Sequence, residues 1–241
     1  MLIQHGLFSH VSLSLKAKAS MKRWHIAGLC LLLSLSATSL TTTESRWVGQ
    51  VSQFYGERAG KRVTAWRNMV ETTQSLSEQD KLRKVNDFFN QLYFVDDINL
   101  WGKNDYWATP LEFLGAAAGD CEDFSIAKYF SLRELGIDDK KLRLVYVKAI
   151  RLDQFHMVVA YYPTPSSEPV LLDNLDPAIK RASLRRDLLP IYSFNGSRLW
   201  LMKERGQGEL AGNSSRLGLW NDLRSRIDTL KMQKPIRQFD R

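Results

Sequence analysis

The sequence predicts an α+β fold in which a helical N-terminal half packs on an antiparallel sheet. Apolar residues recur at helical spacing before residue 95 and again between residues 124 and 135. After residue 140 the apolar period changes to two, which is typical of β-strands. Because the helices come first and the strands follow as a block, the order argues against alternating β–α units.

Two amphipathic helices are expected before residue 95, because apolar side chains three or four positions apart share one face of a helix. They are marked by Val63, Trp66 and Val70, and by Leu82, Val85, Phe89 and Leu92. A polar and aromatic loop, residues 101–110, follows. A third helix is expected to begin near Cys121 and to end at Gly136, since glycine commonly terminates helices.

Five strands are predicted after residue 140, at 142–150, 156–162, 170–173, 191–194 and 198–202. Three prolines and two serines between residues 163 and 169 mark the loop between the second and third strands. The glycine-rich residues 206–214 are interpreted as a linker. A last amphipathic helix is outlined by Trp220, Leu223, Ile227 and Leu230.

The first 39 residues are expected to be a leader that contains a secretory signal peptide. From Met21, the expected start, the chain has a basic pair, then an apolar run at residues 26–35, then small residues. The run is about ten residues long, whereas a membrane-spanning helix needs about twenty, so no integral membrane segment is expected in the mature chain. The expected organisation is a leader (1–39), one globular domain (40–205), and a linker with a C-terminal helix (206–241).

The formal net charge of +8 overstates how basic the mature chain is. Four of the positive charges lie in the leader, which leaves +4, and residues 203–241 account for all of it with nine Lys or Arg against five Asp or Glu. No basic run with interleaved aromatic residues occurs, so a nucleic-acid partner is not expected. The basic C-terminal segment could contact an acidic protein or an anionic membrane, but a solvated helix face is the simpler interpretation.

Beyond the leader the chain has one cysteine, Cys121, and one histidine, His156. A single thiol cannot form an internal disulfide, and exported proteins rarely keep an idle thiol. Cys121 falls where a helix is expected to begin, and the unpaired N–H groups of a helix N-terminus favour a thiolate. A cysteine nucleophile is therefore predicted, against the alternative of a small buried apolar residue.

His156 and Asp173 are the predicted partners of the thiol. His156 lies in an alternating strand, and the following loop folds the next strand back so that Asp173 reaches about the level of His156. A carboxylate there can accept the second ring N–H and stabilise the imidazolium. Asp176 is the competing carboxylate, and a purely structural histidine is the alternative.

Three carboxylates flank the thiol in the sequence: Asp120, Glu122 and Asp123. They could cap the helix, since negative charge is stabilising at a helix N-terminus. Their charges would also raise the pKa of the thiol, a conflict that a bound divalent cation would remove. Carboxylates without spare histidine or thiol ligands suit an oxygen-ligated ion such as calcium, and they do not suit a closed zinc site. The residues alone leave capping and calcium binding equally open.

These residues together resemble the bacterial transglutaminase-like cysteine proteinases, and within that family its periplasmic members. The resemblance runs from about residue 47 to 202 and is carried by Asp105-Tyr106-Trp107-Ala108-Thr109-Pro110, Gly119-Asp120-Cys121-Glu122-Asp123-Phe124, the helix from Lys128 to Gly136, His156-Met157 and Leu172-Asp173-Asn174. It implies a papain-like or transglutaminase-like fold with a triad of Cys121, His156 and Asp173. It also implies a calcium site beside the nucleophile, with acidic ligands corresponding to Asp120, Glu122 and Asp123.

The resemblance further implies a biological role. Such proteins reside in the periplasm and cut the N-terminal region of a large surface adhesin, which frees cells from a biofilm. An inner-membrane receptor that senses cyclic di-GMP holds them in check. The leader before Met21 and the helix after residue 213 lie outside the resemblance and gain no role from it.

The expected chemistry is acyl transfer to water. The thiolate attacks a substrate carbonyl, His156 protonates the leaving amine, and water then hydrolyses the thioester. The Cys121 N–H would stabilise the oxyanion together with a donor from the loop around Tyr106 or Trp107, although Trp107 could equally serve packing. Three other classes stay open: an acyltransferase such as a transglutaminase, a catalytically silent binding module, and a calcium-dependent structural domain with an incidental thiol.

Overall fold

The computed structural model describes residues 40–202 and 208–239. The predicted leader and the expected start at Met21 lie outside these residues. Among the described helices none has the length and apolar character needed to cross a bilayer. The fold confirms the predicted α+β class, with a helical N-terminal half packed on an antiparallel sheet.

Seven α-helices occur in the described part of the chain. In order they are α1 (Thr42–Tyr55), α2 (Glu57–Thr73), α3 (Glu78–Phe89), α4 (Asp97–Leu100), α5 (Pro110–Ala116), α6 (Cys121–Glu134) and α7 (Gly218–Thr229). The two helices predicted before residue 95 correspond to α2 and α3. The apolar residues that predicted them are buried, except Leu92, which lies beyond the end of α3 and is partly buried. The helix expected to start near Cys121 is α6, and the last amphipathic helix is α7.

Helix α1 has no counterpart among the predicted helices. A capping box begins it, because Thr41 Oγ1 accepts from the Glu44 N–H while the Glu44 carboxylate accepts from the Thr41 N–H. Apolar residues do recur at helical spacing along it, and they pack on the core: Trp47, Val48, Val51, Phe54 and Tyr55. Packing against α2 stabilises this helix.

Nine strands occur in the described residues: β1 (Tyr93–Phe94), β2 (Ala118–Gly119), β3 (Leu142–Ala149), β4 (Gln154–Tyr161), β5 (Val170–Leu172), β6 (Lys180–Arg181), β7 (Leu188–Phe194), β8 (Arg198–Met202) and β9 (Gly208–Asn213). Seven of them form an antiparallel sheet in the order β6-β5-β4-β3-β7-β8-β9. The five predicted strands correspond to β3, β4, β5, β7 and β8. Strands β1 and β2 form a separate parallel pair.

The linker interpretation is wrong for residues 208–213, which form the edge strand β9 paired with β8. Ladder hydrogen bonds join main-chain groups, so an edge strand can form from a glycine-rich segment without apolar alternation. The register between the two strands shifts opposite Leu199 and Trp200, next to Gly212, whose φ is 142°. Composition suggests a linker here because the pairing partner is visible only in three dimensions.

Helix α6 lies at the centre of the fold, between β4 on one side and α3 on the other. Nearly every residue from 123 to 132 is buried, including Ser125, Lys128 and Ser131. Polar side chains in such a position require hydrogen-bond partners. The first residue of the same helix is Cys121, so the packing of α6 sets where the thiol stands relative to the sheet.

The β1–β2 pair fixes the backbone just before α6. The Val95 N–H donates to the Gly119 carbonyl at 2.9 Å. A Cβ on Gly119 would lie only 2.4 Å from Asp123 Oδ2 and 2.8 Å from Phe113 Cδ2. Only glycine permits this close approach, which brings the β2 backbone against the first turn of α6.

Candidate active site

The thiol of Cys121 stands at the N-terminus of α6 beside carboxylates. Its Sγ donates a hydrogen bond to Glu122 Oε2 at 2.9 Å. The residue is partly exposed, yet its sulfur is desolvated, and this burial raises the pKa of the thiol well above its usual value. The charges of Glu122 and Asp120 raise the pKa further, while the Met157 N–H lowers it. Without a compensating positive charge the sulfur is therefore a thiol and not a thiolate.

His156 and Asp173 form a buried hydrogen-bonded pair. His156 Nε2 lies 2.7 Å from Asp173 Oδ1, and the two residues are 3% and 1% exposed. The pair joins strand β4 to the residue that follows β5. With Nε2 engaged by the carboxylate, Nδ1 is the ring nitrogen left for a proton exchange with another group.

Asp173 is held from several sides. Its Oδ2 accepts from Arg185 Nη1 at 2.7 Å and its Oδ1 accepts from the Leu175 N–H at 3.0 Å. Burial by itself would raise the pKa of Asp173, but the hydrogen bond and charge of His156, with the bonds from Leu175 and Arg185, lower it to about 2. The carboxyl is therefore an anion throughout the physiological range.

The competing carboxylate, Asp176, bonds elsewhere. It accepts from the Ala178 N–H at 3.2 Å and from Lys180 Nζ at 2.6 Å. These contacts stabilise the turn after Asp173. The carboxylate that His156 contacts among the described residues is therefore Asp173 and not Asp176. This agrees with the expectation that the strand after the loop brings Asp173 close to the level of His156.

Helix α6 also holds the main chain around the pair. Ser125 Oγ donates to the Met157 carbonyl at 2.9 Å, next to His156. Lys128 Nζ donates to the Asp173 carbonyl at 3.0 Å. Burial lowers the pKa of Lys128 to about 7, although the charge of Asp173 opposes this change. Ser125 and Lys128 were missed in the sequence analysis, and their only signal is a polar side chain at a buried helix position.

The structure brings Cys121 to the strand that carries His156, but it does not join the two side chains by a hydrogen bond among the described contacts. The thiol is bonded to Glu122 instead. The Met157 N–H, one residue after His156, is the part of β4 that acts on the sulfur. The three predicted residues thus fall into a bonded pair, His156 and Asp173, and a thiol close to the same strand.

Five carboxylates gather beside the thiol: Asp97, Asp105, Asp120, Glu122 and Asp123. Oxygen atoms of Asp97, Asp120 and Asp123 lie within 4.8 Å of one another, as do those of Asp97, Asp105 and Glu122. We call this set the acidic cluster. Asp97 and Asp105 were missed in the sequence analysis, because they lie 15 or more residues before the predicted group and only the fold of the 97–107 segment adds them.

The cluster is electrostatically unfavourable by itself. Burial raises the pKa of Asp97 to about 7, and the neighbouring charges of Glu122 and Asp105 contribute to that rise. The pKa values of Asp120 and Asp123 are also raised, by burial first and by the surrounding carboxylates second. Grouped carboxylates whose charged forms are disfavoured suit a divalent cation.

Unpartnered oxygen atoms support the same interpretation. Asp97 Oδ1 and Asp120 Oδ1 are buried and have no hydrogen-bond partner within the described part of the chain. Buried polar atoms normally have a partner, so these two oxygens are suited to ligate an ion. The residues present therefore fit an oxygen-ligated cation such as calcium.

Asp123 has a different role from its two sequence neighbours. Its Oδ1 accepts from the Ala108 N–H at 2.7 Å and its Oδ2 accepts from the Asp120 N–H at 3.4 Å. Both oxygens thus serve backbone donors, one of them at the start of α6. Asp120 is the N-cap residue of α6 and shares a capping box with Asp123, so the capping alternative describes both residues. Glu122 and the unpartnered Asp120 Oδ1 present oxygens to the acidic cluster.

The loop residues proposed for the oxyanion site are largely engaged. The Tyr106 N–H donates to Asp97 Oδ2, and the Tyr106 hydroxyl donates to Glu112 Oε1 at 2.6 Å. Trp107 stacks on Phe194 with 5.6 Å between ring centroids, and its indole N–H bonds to Asp105. Tyr106 is therefore not available as the second oxyanion donor in this structure, and Trp107 packs as the alternative interpretation expects.

Comparisons with known proteins converge on one family. Residues 51–185 match the family described as bacterial transglutaminase-like cysteine proteinase BTLCP. A comparison with curated proteins gives no match. The matched segment contains the thiol, the histidine, the buried aspartate and the acidic cluster.

Solved structures of Legionella pneumophila LapG share the fold. The EGTA-treated form is 42% identical over 76% of this chain and 97% of that chain, with a TM-score of 0.68. A second LapG structure is 40% identical over 76% and 97% of the two chains, with a TM-score of 0.67. The calcium-bound form is 42% identical over 76% and 98%, with a TM-score of 0.66. This similarity confirms the expected transglutaminase-like architecture.

Proposed function

The chain belongs to the bacterial transglutaminase-like cysteine proteinases, and from that premise we propose that it is a calcium-dependent cysteine endopeptidase with Cys121, His156 and Asp173 as its triad. The observation that carries the proposal is the buried pair in which His156 Nε2 meets Asp173 Oδ1 at 2.7 Å. It supplies an oriented imidazole on β4, the strand whose Met157 N–H acts on the Cys121 sulfur. The family match and the 42% identity to LapG support the protease class.

In the proposed mechanism Asp173 keeps a proton on Nε2, so Nδ1 of His156 is the base that takes the thiol proton. Arg185 holds the carboxylate in place by its bond to Oδ2. The resulting imidazolium is stabilised by a carboxylate that stays ionised at neutral pH, since the pKa of Asp173 is about 2. The ring must approach the sulfur before this transfer, because no hydrogen bond joins His156 and Cys121 among the described contacts.

The thiolate then attacks the carbonyl carbon of the scissile peptide bond. The oxyanion is proposed to accept from the Cys121 N–H, which as the first residue of α6 has no acceptor within the helix. His156 gives its proton to the departing amine, which leaves a thioester. Water, deprotonated by His156, hydrolyses the thioester and restores the thiol.

Calcium is proposed to bind in the acidic cluster, held by Asp97, Asp105, Asp120 and Glu122. Asp97 presents oxygens within 4.8 Å of those of Asp120, and also within 4.8 Å of those of Asp105 and Glu122. Two of the oxygens, on Asp97 and Asp120, lack other partners among the described residues. The bound ion supplies positive charge that offsets the carboxylates and so favours the ionised sulfur. The calcium-bound form of LapG supports this assignment.

The biological part of the proposal follows the resemblance. We infer that the protein acts in the periplasm after removal of its leader, on the N-terminal region of a large surface adhesin, and so promotes biofilm dispersal. An inner-membrane receptor for cyclic di-GMP is the proposed inhibitory partner. The basic and then apolar residues 22–35 support export.

The proposed activity is tested by mixing the purified chain with adhesin N-terminal fragments from the same cell and measuring cleavage by mass spectrometry. Cleavage that needs calcium, stops with EGTA and is absent in Cys121→Ala is the expected result. If the fragments stay intact while iodoacetamide labels Cys121 no faster than a denatured control, the structural-domain alternative replaces the protease.

An added primary amine separates hydrolysis from transfer. A protease gives products with a free carboxylate even when the amine is abundant, because water resolves the thioester. Incorporation of the amine in preference to water would make the protein a transglutaminase or another acyltransferase with the same triad. The mass of the product distinguishes the two in one measurement.

A further inference from the structure

The C-terminal helix α7 carries one side chain into the body of the domain. Arg226 is 8% exposed, although it lies in a helix whose neighbouring residues Arg224 and Ser225 face solvent. Its Nη1 donates to Glu112 Oε2 and, at 2.9 Å, to the Tyr106 hydroxyl. Its Nη2 donates to the Trp107 carbonyl at 2.6 Å. One guanidinium from the end of the chain thus binds three groups of the 106–112 segment.

Glu112 completes this polar cluster. It is fully buried and accepts from the Tyr106 hydroxyl at 2.6 Å and from the Thr109 N–H at 2.8 Å. It also accepts from the Gln233 N–H at 2.7 Å, just after α7. A buried carboxylate needs such a set of donors, and two of its donors, Arg226 and Gln233, belong to the C-terminal segment.

The same segment faces the acidic cluster on its other side. The Tyr106 N–H donates to Asp97 Oδ2, and the Ala108 N–H donates to Asp123 Oδ1 at 2.7 Å. Residues 106–108 therefore join Arg226 on one side to two carboxylates beside Cys121 on the other. The position of this backbone decides how Asp97 and Asp123 are oriented.

Apolar packing alone does not fix this end of α7. A mainly apolar cavity of about 400 Å³ lies against it, lined among others by Trp47, Leu111, Phe130 and Ile227. Trp220 and Leu223 pack tightly at the start of the helix, but near Arg226 the contact is incomplete. The hydrogen bonds of Arg226 therefore supply the directional contact between α7 and the 106–112 segment.

We propose that Arg226 is a positioning residue that, through Glu112, Tyr106 and Trp107, sets the 106–108 backbone and thereby the arrangement of the acidic cluster. The C-terminal helix thus becomes part of the site, although Arg226 touches neither the thiol nor the cluster. The expected effect of Arg226 on calcium binding rests on the proposed function. The expected effect of Arg226 on the 106–108 backbone does not depend on the proposed function.

The test uses the full chain with Cys121→Ala, so that no turnover occurs, and compares Arg226→Met with Arg226→Lys. Arg224→Met is the matched control, because Arg224 is exposed on the same helix. Calcium affinity is measured by titration calorimetry, and amide hydrogen exchange at residues 106 and 108 is measured without calcium. We expect Arg226→Met to weaken calcium binding at least about tenfold and to speed both amides, with partial recovery in Arg226→Lys.

A buried Glu112 without its partner could unfold Arg226→Met, so a double variant, Arg226→Met with Glu112→Met, is measured as well. Replacing both partners of a buried pair by apolar groups is often nearly neutral for stability. If the double variant folds and its amides at residues 106 and 108 exchange as slowly as those of the wild type, the inference is overturned. If the Cys121→Ala background binds no calcium, the calcium part of the proposed function fails, and the exchange rates still decide the positioning role.

Discussion

The imidazole of His156 meets the carboxylate of Asp173 at 2.7 Å in surroundings from which water is almost excluded. This contact orients the ring, because a carboxylate on Nε2 leaves Nδ1 as the nitrogen that can exchange a proton. It also places the negative charge of the Asp173 carboxylate next to the ring, because Arg185 Nη1 donates to Asp173 Oδ2 and holds the carboxylate there. This orientation is the observation that supports the proposed role of His156 as base and acid.

Replacement of Asp173 by alanine should slow catalysis by about 10²–10⁴-fold, the range that oriented acid–base groups contribute. The ring loses both its tautomer control and the charge that stabilises the imidazolium. The measurement is kcat on a cleaved adhesin fragment, together with the rate of Cys121 alkylation located by peptide mass. Asp176→Ala is the control, and equal loss in both variants would contradict the specific role of Asp173.

Replacement of Asp97 by asparagine should weaken calcium binding by about tenfold or more, which corresponds to about 1.4 kcal/mol. The change removes a charge from a buried oxygen pair in which Oδ1 has no other described partner. Titration calorimetry measures the calcium affinity of each variant. Asp96→Asn provides a matched control, since Asp96 is the exposed neighbour. Equal affinities in the two variants would remove Asp97 from the ligand set.

The buried cation Lys128 should make stability depend on pH. Burial lowers its pKa from 10.5 to about 7, so between these values the unfolded chain binds more protons than the folded chain. The free energy of unfolding must then rise with pH across that interval. The Lys128→Met variant should lack this rise in the free energy of unfolding. The Lys84→Met variant should keep it, because Lys84 is exposed.

Denaturant unfolding of the three proteins at pH 7, 8, 9 and 10 checks the expected difference. The comparison between variants cancels the titration of the tyrosines, which all three proteins share. Parallel pH profiles for Lys128→Met and the wild type would show that Lys128 does not titrate in this range. A steeper profile for Lys128→Met would reverse the sign of the argument.

An alanine at Gly119 should destabilise the protein by about 1–3 kcal/mol, the usual cost of an extra methyl group in a closely packed place. The added Cβ would meet Asp123 and Phe113 at less than 3 Å. Gly49→Ala in α1 is the contrasting variant, because no atom lies within 4 Å of its Cβ position and the helix gains about 0.5–1 kcal/mol. Thermal unfolding of both variants measures the two opposite shifts, and a neutral Gly119→Ala would refute the close approach.

The sequence by itself determined the class of the fold and the residues that carry unusual chemistry. Apolar spacing predicted α2, α3, α7 and the main strands, because burial of one face leaves a period that does not depend on the rest of the chain. Cys121 and His156 stood out because each is single beyond the predicted leader. Asp173 followed from the local geometry of two antiparallel strands.

Tertiary structure alone decided which distant groups meet. Asp97 and Asp105 join the acidic cluster, β9 pairs with β8, and Arg226 reaches Glu112 across 114 residues of sequence. Such contacts depend on how completed helices and strands pack, and no local period records that packing. The physical reason is that a buried charge is placed by the partners that compensate it, and those partners are neighbours only after folding.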